Sequence, residues 1–163
     1  MTKSKLKLLT AGLVILFLFS NFMCSKDDNV PASTWTVGTT SYTGNGATRS
    51  TFSGYSLSVD DGNNNAFTIH FPAFPSAGGS YTIAKYSTGG NPSSTLASNQ
   101  ISVDAALSTN DEYLSTGSDN VTATVSVTDG KISVTFPACW AQHYSSGGVA
   151  PDSLQLSGTV VEK

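Results

Sequence analysis

One segment limits the possible folds more than any other. Between Asn120 and Ala138, Val121, Ala123, Val125 and Val127 alternate with Thr122, Thr124, Ser126 and Thr128. Asp129-Gly130 follows, and then Ile132, Val134 and Phe136 alternate with Ser133 and Thr135. A period of two puts the apolar side chains on one face of a strand and the hydroxyls on the other. A two-residue Asp-Gly loop calls for a type I′ turn, which fixes the register so that Val127 faces Ile132, Val125 faces Val134 and Ala123 faces Phe136. A slip of one residue would bury the hydroxyl face, so the pattern enforces its own pairing.

The rest of the chain extends the same theme. A second hairpin is expected over Tyr55–Phe71: Tyr55, Leu57 and Val59 alternate with Ser56 and Ser58, Phe67, Ile69 and Phe71 alternate with Thr68 and His70, and the Asp60–Asn65 loop joins the two strands. Further strands are expected at Thr34–Val37, Thr40–Thr43, Gly79–Tyr86, Gln100–Ala106 and Ser153–Val161. Phe71-Pro72-Ala73-Phe74-Pro75 leaves the sheet, because proline lacks a ladder donor. Ser87–Asn99, Ser108–Asp119 and Ala141–Pro151 read as loops. The fold class is therefore all-β: an antiparallel two-sheet sandwich of about nine short strands, or alternatively a closed, lipocalin-like barrel. No stretch after residue 33 has a helical period, and no repeat suggests a solenoid or propeller.

The first 23 residues read as an address. Lys3, Lys5 and Lys7 precede an apolar run from Leu8 to Phe19, broken only by Thr10 and Gly12, and Cys24 follows. This is the order of a secretory signal: basic start, apolar centre, processing site. Leu8–Met23 is 16 residues (23 − 8 + 1), short of the ~20 that span a bilayer as a helix. The expected organisation is a signal over 1–23, a lipidated Cys24 with a tether over 24–33, and one all-β domain over 34–163. Without the leader, five basic residues stand against eleven acidic ones, a net charge of 5 − 11 = −6. Such a domain repels nucleic acid, whose binding needs clustered Lys and Arg.

The leader ending at Cys24, with Ser25-Lys26-Asp27-Asp28-Asn29 directly after it, resembles the lipoproteins of the Bacteroidetes group. The resemblance implies that Cys24 becomes the acylated N-terminus and that the acidic stretch directs the protein to the outer face of the outer membrane. A periplasm-facing position is the alternative. Asn21-Phe22-Met23 departs from the small residues usual before such a cysteine. The order Trp35, Tyr55–Val59, Gly79–Ile83, Asp129–Phe136 and Leu156–Thr159 is also similar to small uncharacterised lipoproteins of the same group. That similarity implies no activity and brings no catalytic residues. An acyl anchor would hold the chain to the membrane, since each buried CH₂ contributes about 0.8 kcal/mol.

Chemistry-bearing residues are sparse. Cys139 and His143 lie four apart, but no helical turn is expected to bring them together, and Cys139 reads as a small buried hydrophobe. His70 falls on the polar face of its strand beside Thr68 and reads as exposed; His143 reads as a surface loop residue. Neither a phosphate loop nor a nucleophile elbow occurs, and no catalytic constellation is expected. The pair Asp111 and Glu112 is the nearest approach to a hydrolase. Asp60, Asp61, Asn63 and Asn65 share one turn and could offer calcium several oxygens, as could Asp104, Asn110, Asp111 and Glu112 near another. Without calcium, no cofactor is expected. Tyr86, Tyr113, Trp140 and Tyr144 lie in or beside the long loops, where aromatic faces and nearby amides could stack and bind a sugar. The expected function is a membrane-anchored, non-enzymatic binding or structural domain with a glycan or an envelope protein as partner. The alternative is a small barrel carrying an apolar ligand inside.

Overall fold

The computed structural model describes residues 31–145 and 148–163; the leader, Cys24 and most of the tether lie outside the described residues. The chain is all-β. Eleven strands are present: β1 (Ser33–Val37), β2 (Thr40–Gly44), β3 (Thr48–Ser50), β4 (Tyr55–Asp60), β5 (Ala66–Phe71), β6 (Gly79–Ile83), β7 (Gln100–Ala106), β8 (Glu112–Ser115), β9 (Thr122–Thr128), β10 (Lys131–Ser145) and β11 (Gly148–Val161), with one 3₁₀ turn at Pro92–Thr95. They form one sheet in the order β2-β1-β11-β10-β9-β6-β7-β5-β4-β3, and β8 lies between β10 and β7.

Both hairpins read from the alternation are present, the first in the register expected from its Asp-Gly turn. Ile132 pairs with Val127 and Val134 with Val125, and the turn residues Asp129 and Gly130 have φ of 52° and 77°, as a type I′ turn requires. Leu57 pairs with Ile69 and Val59 with Phe67. Their apolar faces meet across the interior. Phe67 of β5 stacks on Phe136 of β10 with ring centroids 5.3 Å apart, and Trp35 of β1 lies 6.3 Å from Phe67. Strands remote along the ladder can touch this closely only if the sheet folds over on itself. The β3 edge also meets the far side of the ladder: Ala47, just before β3, bridges Glu162, just after β11. The architecture is thus a single hydrogen-bonded path of strands folded over a filled interior, as in a sandwich or a barrel.

Three expectations are corrected. The strands number eleven, not about nine, since β3 and β8 were not anticipated. The sheet is mixed, because β6 and β7 run parallel. Two expected loops contain strand: Ser108–Asp119 includes the four-residue β8, and Ala141–Pro151 falls mostly in the long β10 and β11. Glu112, Tyr113, Gln142, His143 and Tyr144 are polar or amphipathic and only partly buried, so no apolar alternation marks them as strand. Backbone pairing with Ala141, Gln142, His143 and Tyr144 holds β8 in place. β1 begins at Ser33, one residue before the expected domain start, and Ser33 Oγ bonds the backbone of Val161.

Candidate functional site

β10 is 15 residues long, and its pairing changes along its length. It holds β9 at its start and β8 near its end, with a register shift between Phe136 and Cys139. The gap opened between β8 and the β6–β9 pair is filled by the segment after β6. Ser115 Oγ fastens that segment, donating to the Ala84 carbonyl at 2.8 Å and accepting from the Val103 amide at 3.1 Å. The Tyr86 amide in turn donates to the Ser115 carbonyl. These bonds set Tyr86 at the rim of a cleft of about 220 Å³, whose polar and aromatic lining includes Lys85, Tyr86, Thr88, Gln142, His143 and Tyr144.

Two His–Asp pairs flank the cleft. His143 Nε2 lies 2.7 Å from Asp111 Oδ1, and the ring stacks on Tyr113, its cross-strand partner, at 5.0 Å and 20°. The Thr109 hydroxyl donates to the other Asp111 oxygen at 2.7 Å. The hydrogen bonds from Thr109 and His143 hold the Asp111 carboxyl below its ordinary value. Beneath the other side, His70 Nε2 lies 2.7 Å from Asp104 Oδ1, both side chains are buried, and Tyr86 packs edge-on against the imidazole at 5.3 Å. Burial pushes the Asp104 carboxyl up, and it raises the Tyr86 phenol as well, with the charges of Asp104 and Glu112 adding to the latter shift. His70 Nδ1, His143 Nδ1 and Ser102 Oγ are buried without a hydrogen-bond partner.

Glu112, half-buried beside Asp104, is raised by burial and then by that neighbour's charge. A carboxyl whose folded value lies above its unfolded one contributes stability that is complete below the unfolded value and is lost as pH rises through the folded one. Glu112→Gln is therefore expected to raise the melting temperature near pH 7 and to leave it unchanged below about pH 4. Thermal melts of both proteins across that range check it; parallel curves would contradict it.

The residues singled out in the sequence are distributed as follows. Tyr86 and Tyr144 meet in the cleft, and Tyr113 adjoins it through His143. Trp140 stands outside it, 43% exposed on β10, its amide bonded to Asp119. His70 is not an exposed sheet residue, because Tyr86 and the 3₁₀ turn cover the outer face of β5 and β7. His143 is not in a loop but on β10. Asp104 lies within β7, far from solvent, and not in an acidic turn. Cys139 is buried and its thiol is pushed up to about 12 by burial, so it is a poor nucleophile. Four residues of extended strand separate it from His143 by ~13 Å, which prevents a Cys–His pair.

In the Asp60–Asn65 turn, Asp61 accepts bonds from the Asn63 and Asn65 amides and from the Asn65 side chain, while Asp60 accepts one from the Gly62 amide. Among the described residues, no group of three or more His, Cys, Asp or Glu side chains is placed to hold a metal ion. Sequence reading missed the His70–Asp104 pair, Lys85 and Gln142. One signal was available: Asp104 sits between Val103 and Ala105 in a strand otherwise free of charge, where a carboxylate needs a buried partner. No family model matches the chain, and no curated protein or solved structure matches it.

Proposed function

We propose that this chain is a lipid-anchored, surface-displayed lipoprotein whose β domain binds, without catalysis, a small polyhydroxylated unit such as the end of a glycan. The cleft between Tyr86 and Tyr144 carries this reading. Two aromatic rings offer stacking faces, and Gln142, Thr88, Thr116 and Lys85 offer donors and acceptors of the kind that orient hydroxyl groups. Its volume of about 220 Å³ falls below the ~300–1,000 Å³ of sites for drug-sized ligands, which suits a single ring. The basic and apolar leader, Cys24 and the acidic stretch after it support the anchored location at the outer membrane. A carrier of an apolar ligand is the weaker reading, since Trp35, Phe67 and Phe136 stack across the interior where the ligand would sit.

The test is thermal melting of the full chain against a glycan panel, with calcium as a separate arm. A ligand at a hundredfold excess over its Kd stabilises the folded state by about 2.7 kcal/mol, several degrees in the midpoint. A shift with one glycan that Tyr144→Ala and Gln142→Ala each reduce at least tenfold in affinity supports the reading. A flat panel, or a shift those variants leave unchanged, refutes the cleft as a glycan site and turns attention to an envelope protein partner.

A further inference from the structure

We propose that the turn carrying Phe52 is a wedge that inserts into the phospholipid surface to which the chain is tied, so that the cleft points away from that surface. The proposal rests on the anchored reading of Cys24 for the proximity of the membrane, and on the structure for everything else.

Phe52 is 97% exposed, far more than any other large hydrophobic residue among those described. It is nonetheless held in place. Its amide donates to Ser50 Oγ at 3.2 Å, and it bridges Gly54 across the turn. Gly54 has φ +103° and packs so tightly on the 3₁₀ turn that a Cβ there would lie 2.1 Å from Asn91 Oδ1. Ser93 Oγ of the same 3₁₀ turn donates to the Tyr55 carbonyl. An apolar ring presented to solvent by a braced turn loses little entropy when it enters a partner.

The turn also projects from the side at which the chain enters the domain. Ser33, where β1 begins, bonds Val161, and the Ala47 amide donates to that same Val161 carbonyl at 2.7 Å. From Ala47 the chain runs parallel to the end of β11 and so opposite to β1, reaching Phe52 five residues later, ~16 Å beyond the start of the domain. Cys24 precedes Ser33 by nine residues (33 − 24), a covalent reach of at most ~32 Å. An anchor at Cys24 therefore keeps the lipid surface within range of Phe52.

Of the four cations between residues 31 and 163, three are here. Arg49 bonds both Gly130 and Glu162 and lies 5.0 Å over the Phe74 ring, Lys131 follows Gly130, and the Lys163 amide donates to Ala47. The fourth, Lys85, lines the cleft. Carboxylates accompany the first three: Glu162 pairs with Arg49, Asp129 precedes Gly130, and Asp60 and Asp61 line a hollow with Lys163, so the apolar ring and not net charge would carry the contact with lipid. The cleft lies at the far end of β10, with Tyr144 thirteen residues from Lys131.

The test uses the full chain in phosphatidylethanolamine–phosphatidylglycerol vesicles containing lipids brominated on their acyl chains, with Phe52→Trp placed in a Trp140→Phe background. Against the constant signal of the buried Trp35, bromine quenching and a blue shift of the new tryptophan are expected relative to the Trp140→Phe chain, while Trp35 and Trp140 of the parent chain stay unquenched. Phe52→Ser in a chain that also carries Cys24→Ser lowers vesicle binding roughly tenfold. Equal acrylamide access with and without vesicles, and no bromine quenching, would overturn the wedge. So would shielding that appears without lipid as protein concentration rises, which would assign the turn to self-association. The mass of the Cys24 peptide reads the anchor separately. An acylated chain with an unquenched tryptophan refutes the wedge alone; an unacylated chain with a quenched one refutes the anchor alone.

Discussion

Replacing Phe67 with alanine is expected to lower the melting temperature by about 10–20 °C. Its ring is fully buried and stacks on Phe136 at 5.3 Å and 12°, with Trp35 on its other flank. A buried Phe→Ala change typically costs about 3–5 kcal/mol, the transfer of the lost atoms plus the cavity left behind. For a domain of this size, each kcal/mol is worth roughly 3–5 °C. Phe67 joins strands that are distant along the ladder, so the cavity opens where the folded-over sheet meets itself and cannot collapse by moving one strand. Phe67→Leu should recover more than half of the loss. A double-mutant cycle with Phe136→Ala should show a coupling of about 0.5–1.5 kcal/mol beyond area. A loss below about 1 kcal/mol for Phe67→Ala would mean that the two halves are not held by this stack.

The second large effect is expected at Asp104. Among the described residues, Asp104→Ala removes the only hydrogen-bond partner of the buried His70 ring, whose Nδ1 has none there. Breaking a buried pair by deleting one member costs about 3–5 kcal/mol, because the remaining polar group is left uncompensated. Replacing both by apolar residues of similar volume is often neutral. His70→Leu/Asp104→Leu is therefore expected to be more stable than Asp104→Ala alone. Chemical denaturation of the three proteins decides the matter. If the double variant were as unstable as the single one, the pair would be stabilising the fold in its own right and not merely satisfying itself.

These two sites mark the boundary of what was legible in the sequence. Val125, Val127, Ile132 and Val134 were placed in their pairs by alternation and the Asp-Gly turn, and Leu57, Val59, Phe67 and Ile69 on the apolar faces of a second hairpin. Period-two patterning and an Asp-Gly turn are local, and each names its partner within about twenty residues. β8 and the upper half of β10 carried no such pattern. Glu112, Tyr113, Gln142 and His143 are polar or amphipathic, and they are in strands because neighbours far along the chain supply ladder partners. Tyr86 and Tyr144, some sixty residues apart, were recognised as aromatics of the right kind. That they meet, whereas Trp140 stands apart, follows from the clamp of Ser115 on Ala84 and Tyr86.

His70 illustrates the same limit from the other side. On a single amphipathic strand its position beside Thr68 implies exposure, and that inference is sound for a sheet with one face in water. β5 and β7 are covered on both faces, inside by the core and outside by Tyr86 and the 3₁₀ turn, so the polar face became an interior. The sequence by itself determined an all-β domain, the register of the Asp-Gly hairpin and the apolar faces of a second hairpin, because each of these is written in contiguous residues. The tertiary structure alone decided that the strands make one folded-over sheet, that two His–Asp pairs flank a cleft, and that Phe52 projects where β1 begins. All of these depend on pairings between segments that chain-local periodicity does not encode.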